Sequence, residues 1–129
     1  MRVMVIVRAN AQSEAGAMPS ADVIAKMRTF NEELTNAGVL VGMGGLQPSS
    51  QGKRVKVSRG KRLVIDGPFT ETKELIAGFA IWEVASMEDA FAWVARFPDT
   101  GDDEEIELRP MYETGPCGSA FKSEREAAQ

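Results

Sequence analysis

The chain is 129 residues long, 43% apolar and 26% charged, with a formal net charge of −4, the profile of a single folded domain near the commonest domain size. With no histidine and one cysteine, Cys117, it excludes imidazole-based triads and an internal disulfide and makes a poor zinc site, so no metal and no bound cofactor are expected. No apolar run reaches the roughly 18 residues of a membrane span, the opening residues lack a signal-peptide core, and a cytoplasmic protein with no membrane partner is expected.

Residues 2–8, Arg-Val-Met-Val-Ile-Val-Arg, are β-branched and apolar on both faces, which predicts a strand covered on two sides. Residues 9–18 read as a polar connection. Pro19-Ser20 offers a helix start, and Val23, Ile24, Met27, Phe30 and Leu34 recur at helical spacing, giving one apolar face. Gly38 supplies the stop, because glycine enters the left-handed region without penalty. A short strand over residues 39–43 follows and ends at Gly44-Gly45. The run from Gly42 to Gln47 fails as a dinucleotide fingerprint, since Gln47 stands where a third glycine is needed and no helix follows.

A hairpin is expected over residues 54–66, turning at Arg59-Gly60. Val55 and Val57 alternate with Arg54, Lys56 and Ser58, which suggests one wet face. Lys53, Arg54, Lys56, Arg59, Lys61 and Arg62 make up six of the 15 basic residues. They can solvate the hairpin and protect a sheet edge, or capture an anion. Nucleic-acid binding is not expected, because the chain is net acidic and residues 99–105 offer an internal counter-charge. Residues 75–84 are again apolar on both faces apart from Glu83. Ser86 caps a second helix whose buried stripe is read as Phe91, Val94, Ala95 and Phe97, with Pro98 ending it. The last strand, residues 105–109, alternates cleanly, and a Gly- and Ser-rich tail follows over residues 113–129.

Without the hairpin, this order is the split β-α-β, or ferredoxin-like, arrangement: α+β, an antiparallel sheet with two helices on one face. Two strands are apolar on both faces and no third helix is expected, so a second copy of the chain is the simplest cover for the other face.

The run Asp66-Gly67-Pro68-Phe69-Thr70-Glu71-Thr72-Lys73-Glu74-Leu75-Ile76-Ala77-Gly78-Phe79 joins the hairpin to the next strand. Together with Phe30-Asn31-Glu32-Glu33-Leu34, Ala37-Gly38-Val39-Leu40 and Gly45-Leu46-Gln47-Pro48-Ser49-Ser50, it resembles the YCII-related family with its DGPF motif, over residues 1–112. The resemblance implies a dimeric α+β barrel. Many relatives carry histidine where this chain has Gln47, and the histidine-aspartate chemistry suspected in part of the family has no counterpart here. Members also resemble products often encoded beside extracytoplasmic-function sigma factors, which makes a non-catalytic regulatory role the alternative to small-molecule binding or cofactor-independent catalysis.

Two readings of the motif stand side by side. As a structural corner, Gly67 adopts a backbone closed to other residues, Pro68 fixes φ, Asp66 accepts a hydrogen bond from Phe69 or Thr70, and Phe69 anchors the turn. As a site, Asp66 and Glu71 are the candidate acid and base, while Arg8, Asp66, Lys73 and Glu83 are candidate contacts to a small polar or anionic ligand. Glu83 also reads as an ion-paired strand end, and Trp82 and Trp93 as core or dimer anchors.

Overall fold

The computed structural model describes residues 1–113; the tail from residue 114, with Cys117, lies outside the described residues. The strands are β1 (Arg2–Arg8), β2 (Leu40–Gly45), β3 (Lys53–Ser58), β4 (Lys61–Asp66), β5 (Ile76–Glu83) and β6 (Ile106–Pro110), with helices α1 (Ala11–Glu14) and α2 (Ala21–Asn36) between β1 and β2 and α3 (Met87–Val94) between β5 and β6. Four strands form one antiparallel sheet in the order β2-β5-β1-β6, and β3 and β4 form a separate two-stranded sheet. The fold is therefore α+β and ferredoxin-like, with the hairpin inserted between its second and third sheet strands.

The register sorts the side chains of the sheet. Val3 faces Trp82 and Pro110, and Val5 faces Ala80 and Leu108, so these residues share one face. Phe30 and Leu34 of α2 and Ala90 of α3 join Val3, Val5 and Trp82 in a single buried cluster, which puts both long helices on that face. Phe30 stands at its centre, with ring centroids 6.3 Å from Trp82, 6.4 Å from Trp93 and 5.7 Å from Phe97, all edge-to-face, the geometry aromatic quadrupoles favour. Ser20 Oγ caps α2 by accepting the Val23 N–H at 3.2 Å, and Gly38 follows its end at φ +73°. The expected start and stop of this helix are both in place.

The second long helix differs from expectation. Its buried side is Ala90 with half-buried Trp93, Val94 and Phe97, while Phe91 is 68% exposed and Ala95 is exposed. The helix also ends at Val94, before Pro98. Val94 and Phe97 of the expected stripe do face the core, and Ala90 and Trp93 take the places expected of Phe91 and Ala95. Alanine at the closest approach to the sheet makes the buried side look weaker than the Phe91 side.

The opposite face of the sheet carries Met4, Ile6, Phe79 and Ile81, all half-buried and none of them in the core cluster. Gly44 pairs with Phe79, and a Cβ there would stand 3.0 Å from the Phe79 ring, so glycine makes room for that ring. Ion pairs frame this apolar stripe. At one end Arg2 Nε donates to Glu83 at 3.3 Å; at the other Arg8 pairs with Glu107, which also accepts from Arg109 at 3.3 Å.

The hairpin turns through Arg59 and Gly60, both at positive φ. No residue of β3 or β4 is buried, so the expectation of a single wet face is corrected: both faces are exposed. Val55, Val57 and Val64 share one face, and Leu63 and Ile65 the other.

Phe30→Ala is expected to destabilise the fold by about 3–5 kcal/mol, whereas Phe91→Ala should change stability by less than about 0.5 kcal/mol. Urea unfolding of both variants checks which side of the helix is buried; equal losses would contradict it.

Candidate functional site

The hairpin returns to the sheet through a corner held by three segments distant in sequence. Asn10 caps α1, its Oδ1 accepting the Ser13 N–H at 2.9 Å while Ser13 Oγ accepts the Asn10 N–H at 2.9 Å. The stretch read as a polar connection over residues 9–18 thus contains a helical turn, and it delivers Glu14. The Glu14 carboxylate takes two hydrogen bonds from one residue: the Ser49 N–H donates to Oε1 at 2.9 Å and the Ser49 hydroxyl to Oε2 at 2.5 Å. Ser49 Oγ in turn accepts the Phe69 N–H at 3.0 Å. The Gly67 N–H donates to Gly52 O at 3.0 Å. Every polar atom of Ser49 Oγ and of the Glu14 head is committed to building this junction.

Two expectations at this corner are corrected. Gly67 does not have positive φ. Its need for glycine is steric, because a Cβ would stand 1.7 Å from the carbonyl oxygen of Ser49 and 2.7 Å from its carbon. The Phe69 N–H does not serve Asp66; it is used by Ser49, and the Asp66 carboxylate instead accepts from Lys53 Nζ at 2.5 Å. Phe69 is half-buried, and the Arg54 guanidinium lies 4.0 Å above its ring, a cation–π contact that ties the hairpin base to the corner. The Gly67–Pro68 peptide is cis.

Beneath the corner lies a hollow of about 460 Å³, within the range of small-molecule pockets. Leu46, Phe69, Leu75 and Ile76 give it apolar walls, and Glu14, Gln47, Ser49 and Gln51 its polar ones. Glu14 and Ser49 are spent on the junction. The Gln47 and Gln51 side chains have no hydrogen-bond partner among the described residues, so their amides are free to meet a guest.

The residues singled out from sequence are spread around this end and beyond it. Asp66, 74% exposed as a side chain, closes the hairpin base with Lys53. Glu71 is exposed at the start of the Thr72–Glu74 turn, which contains Lys73. Arg8 lies at the same end of the sheet, paired with Glu107. Hydrogen bonding from Arg8 and then Arg109 holds the Glu107 carboxyl below its usual range. Glu83 sits at the other end of β5, paired with Arg2 and the terminal amine. Glu14, Gln51 and Glu107 were not singled out from sequence. The Asn10-to-Ser13 capping pattern was the available signal for the first of them.

A second cavity, of about 350 Å³, opens between α2 and the helix-covered face of the sheet. Its lining is apolar, Val5, Met27, Phe30 and Met43 among it, with Asn31, Thr100 and Glu104 as its polar groups. Partial desolvation raises the Glu104 carboxyl above its usual range and the negative charges of Asp102 and Asp99 add to this, against a 3.2 Å hydrogen bond from Thr100 Oγ1.

Three comparisons bear on this arrangement. Residues 1–114 match the YCII-related domain. An uncharacterised protein of Rhizobium meliloti (strain 1021) is 30% identical over 103 residues, which cover 75% of this chain and 81% of the relative. Among solved structures, the chain is similar to 5-chloro-2-hydroxyhydroquinone dehydrochlorinase (TftG) from Burkholderia phenoliruptrix AC1100, in complex with 2,5-dihydroxybenzoquinone. There the identity is 16% and the TM-score 0.45, over 83% of this chain and 91% of that one.

Gly67→Ala should destabilise the protein by about 1–3 kcal/mol through the clash with the Ser49 carbonyl, and Ser49→Ala by a similar amount by stranding the Phe69 N–H and the Glu14 carboxylate. Denaturant midpoints check both; a neutral Gly67→Ala would contradict the close approach. The depressed Glu107 carboxyl gives a pH signature. Its contribution is fully present above the ordinary glutamate pKa of about 4.3 and disappears as pH falls through the lower folded value. The stability gap between wild type and Glu107→Gln should therefore close in that acid window and stay constant at neutral pH.

Proposed function

The chain belongs to the YCII-related family, and we propose that it works as a homodimer binding a small polar or anionic molecule in the hollow beneath the Asp66–Phe69 corner. The observation that carries this reading is the division of labour at the corner. Glu14 and Ser49 are consumed in fixing the wall, while the Gln47 and Gln51 amides are left uncommitted in a hollow of about 460 Å³. A rigid wall with unpaired donors and acceptors is what a preorganised binding site requires.

In this reading Gln47 and Gln51 orient the guest, and Phe69 and Leu46 cover its apolar part. Arg8, Asp66 and Lys73 are proposed contacts at the rim, and Asp66 and Glu71 the proposed acid and base of a cofactor-independent proton transfer. Glu83 keeps its ion-pair role at the far end of the sheet in this reading, which takes the cytoplasm as its compartment. The homodimer is supported by the half-buried stripe of Met4, Ile6, Phe79 and Ile81, which no helix among the described residues covers. Isologous packing of that face on a second copy would bury it without further structure.

Light scattering is expected to give about twice the 14.0 kDa chain mass; a monomer at micromolar concentration would contradict the homodimer. In a thermal-shift screen of small organic acids and phenols, at least one compound should raise the melting temperature, since a ligand of the native state stabilises by mass action. The shift should be lost in Gln47→Ala/Gln51→Ala. A shift that survives both substitutions would move the site elsewhere. No shift from any compound, with the dimer intact, would favour the regulatory, non-catalytic alternative.

A further inference from the structure

We infer that the β3–β4 hairpin of one copy docks against the acidic segment of residues 99–105 of a second copy, placing the partner's cations at the rim of the α2 cavity. This rests on the homodimer reading above and adds to it a contact outside the sheet face.

The hairpin is the part of the described chain that its own fold leaves without cover. All of its residues are exposed, and it shares no hydrogen-bonded edge with the main sheet. A two-stranded hairpin alone in water is marginal. Yet this one displays Val55, Val57 and Val64 on one face and Leu63 and Ile65 on the other, each about half exposed or more. Apolar β-branched side chains on an uncovered ribbon need a protein surface to lie against.

Charge identifies that surface. Lys53 is paired with Asp66 and Arg54 is stacked on Phe69. Lys56, Arg59, Lys61 and Arg62 form no ion pair among the described residues. The complement is equally unmatched: Asp99, Asp102, Asp103, Glu104 and Glu105 have no cationic partner among the described residues. The Glu104 carboxyl is raised first by partial desolvation and only secondarily by repulsion from Asp102 and Asp99, so the missing ion pairs are what points to the contact. The hairpin cations and this cluster form no ion pair with each other within the chain, so the counter-charge expected to act internally is unused.

A second copy satisfies both halves at once. Each chain carries one cationic ribbon and one anionic segment, so a two-fold axis makes the contact twice. Nucleic acid fits less well, because the chain is net acidic at −4 and a phosphate backbone offers nothing to the valine face. Because Glu104 and Thr100 line the α2 cavity, the contact would also set the charge at that cavity's rim.

Charge reversal tests the inference on the full chain, with dissociation constants from sedimentation at low and high salt and folding checked by circular dichroism. Lys56→Glu/Arg62→Glu and Asp102→Lys/Glu104→Lys should each weaken the dimer by about tenfold or more, through like-charge contacts. An equimolar mixture of the two variants should recover an affinity close to wild type, because each unlike pair then finds its complement. If a reversal does not fold, Lys56→Gln/Arg62→Gln decides the point, with a weaker dimer and a flatter salt dependence expected. A dimer indifferent to these changes overturns the hairpin contact while leaving the homodimer standing. A wild-type monomer overturns both. Salt-sensitive retention of the wild type on DNA, lost in Lys56→Glu/Arg62→Glu, would assign the ribbon to nucleic acid instead.

Discussion

The carbonyl oxygen of Ser49 occupies the place where a side chain on residue 67 would begin, 1.7 Å from that ideal Cβ. This contact lets the chain segment after β2 and the segment after β4 touch backbone to backbone. Once they touch, Ser49 Oγ comes within reach of the Phe69 N–H, and Glu14 can bind both the amide and the hydroxyl of Ser49. Phe69 is thereby set in place as a wall, with Arg54 stacked upon it. That junction walls one side of the hollow and anchors the base of the hairpin. Charge-assisted bonds from a neutral serine to a carboxylate make it stronger than an ordinary turn.

The sheet places this corner and divides the molecule's tasks. One face is closed by α2 and α3 through Phe30, Leu34 and Ala90 and gives the chain its core. The other keeps an apolar stripe between two sets of ion pairs, Arg2–Glu83 at one end and Arg8–Glu107–Arg109 at the other. Ion pairs at both ends of an apolar strip give direction and register to whatever covers it, while the strip supplies the driving force. The corner hollow lies near the Arg8 end of the sheet, where β1 is tied to the corner by the Ala9 N–H to Leu75 O bond.

Much of this was legible in the sequence, for reasons that differ by element. Periodicity disclosed β1 and β5 as two-faced strands and α2 with its Ser20 cap and Gly38 stop, because each signal lies within a few neighbouring residues. Of the expected α3 stripe, Val94 and Phe97 pack on the core, but Phe91 and Ala95 were misread, since the contact nearest the sheet is made by Ala90, whose small side chain carries little weight in an apolar pattern, while Phe91 faces outward. Gly67 was recognised as necessary, but for φ rather than for the approach of Ser49. A sequence shows that glycine is present and not what stands beside it. Glu14 escaped notice for the same reason: its partner Ser49 is 35 residues away, and no local pattern encodes that meeting. The family resemblance carried the fold further than it carried the site, because the motif names a corner and not the residues that meet across it.

Amide hydrogen exchange at Phe69 and Ser49, in wild type and in Glu14→Ala, tests the central claim that Glu14 and Ser49 preorganise the corner. The account predicts both amides protected in the wild type and both losing protection in Glu14→Ala, while the β1 and β5 amides stay as slow as before. A Phe69 amide that exchanges at the unprotected rate in the wild type, or one unmoved by the loss of Glu14, would contradict it.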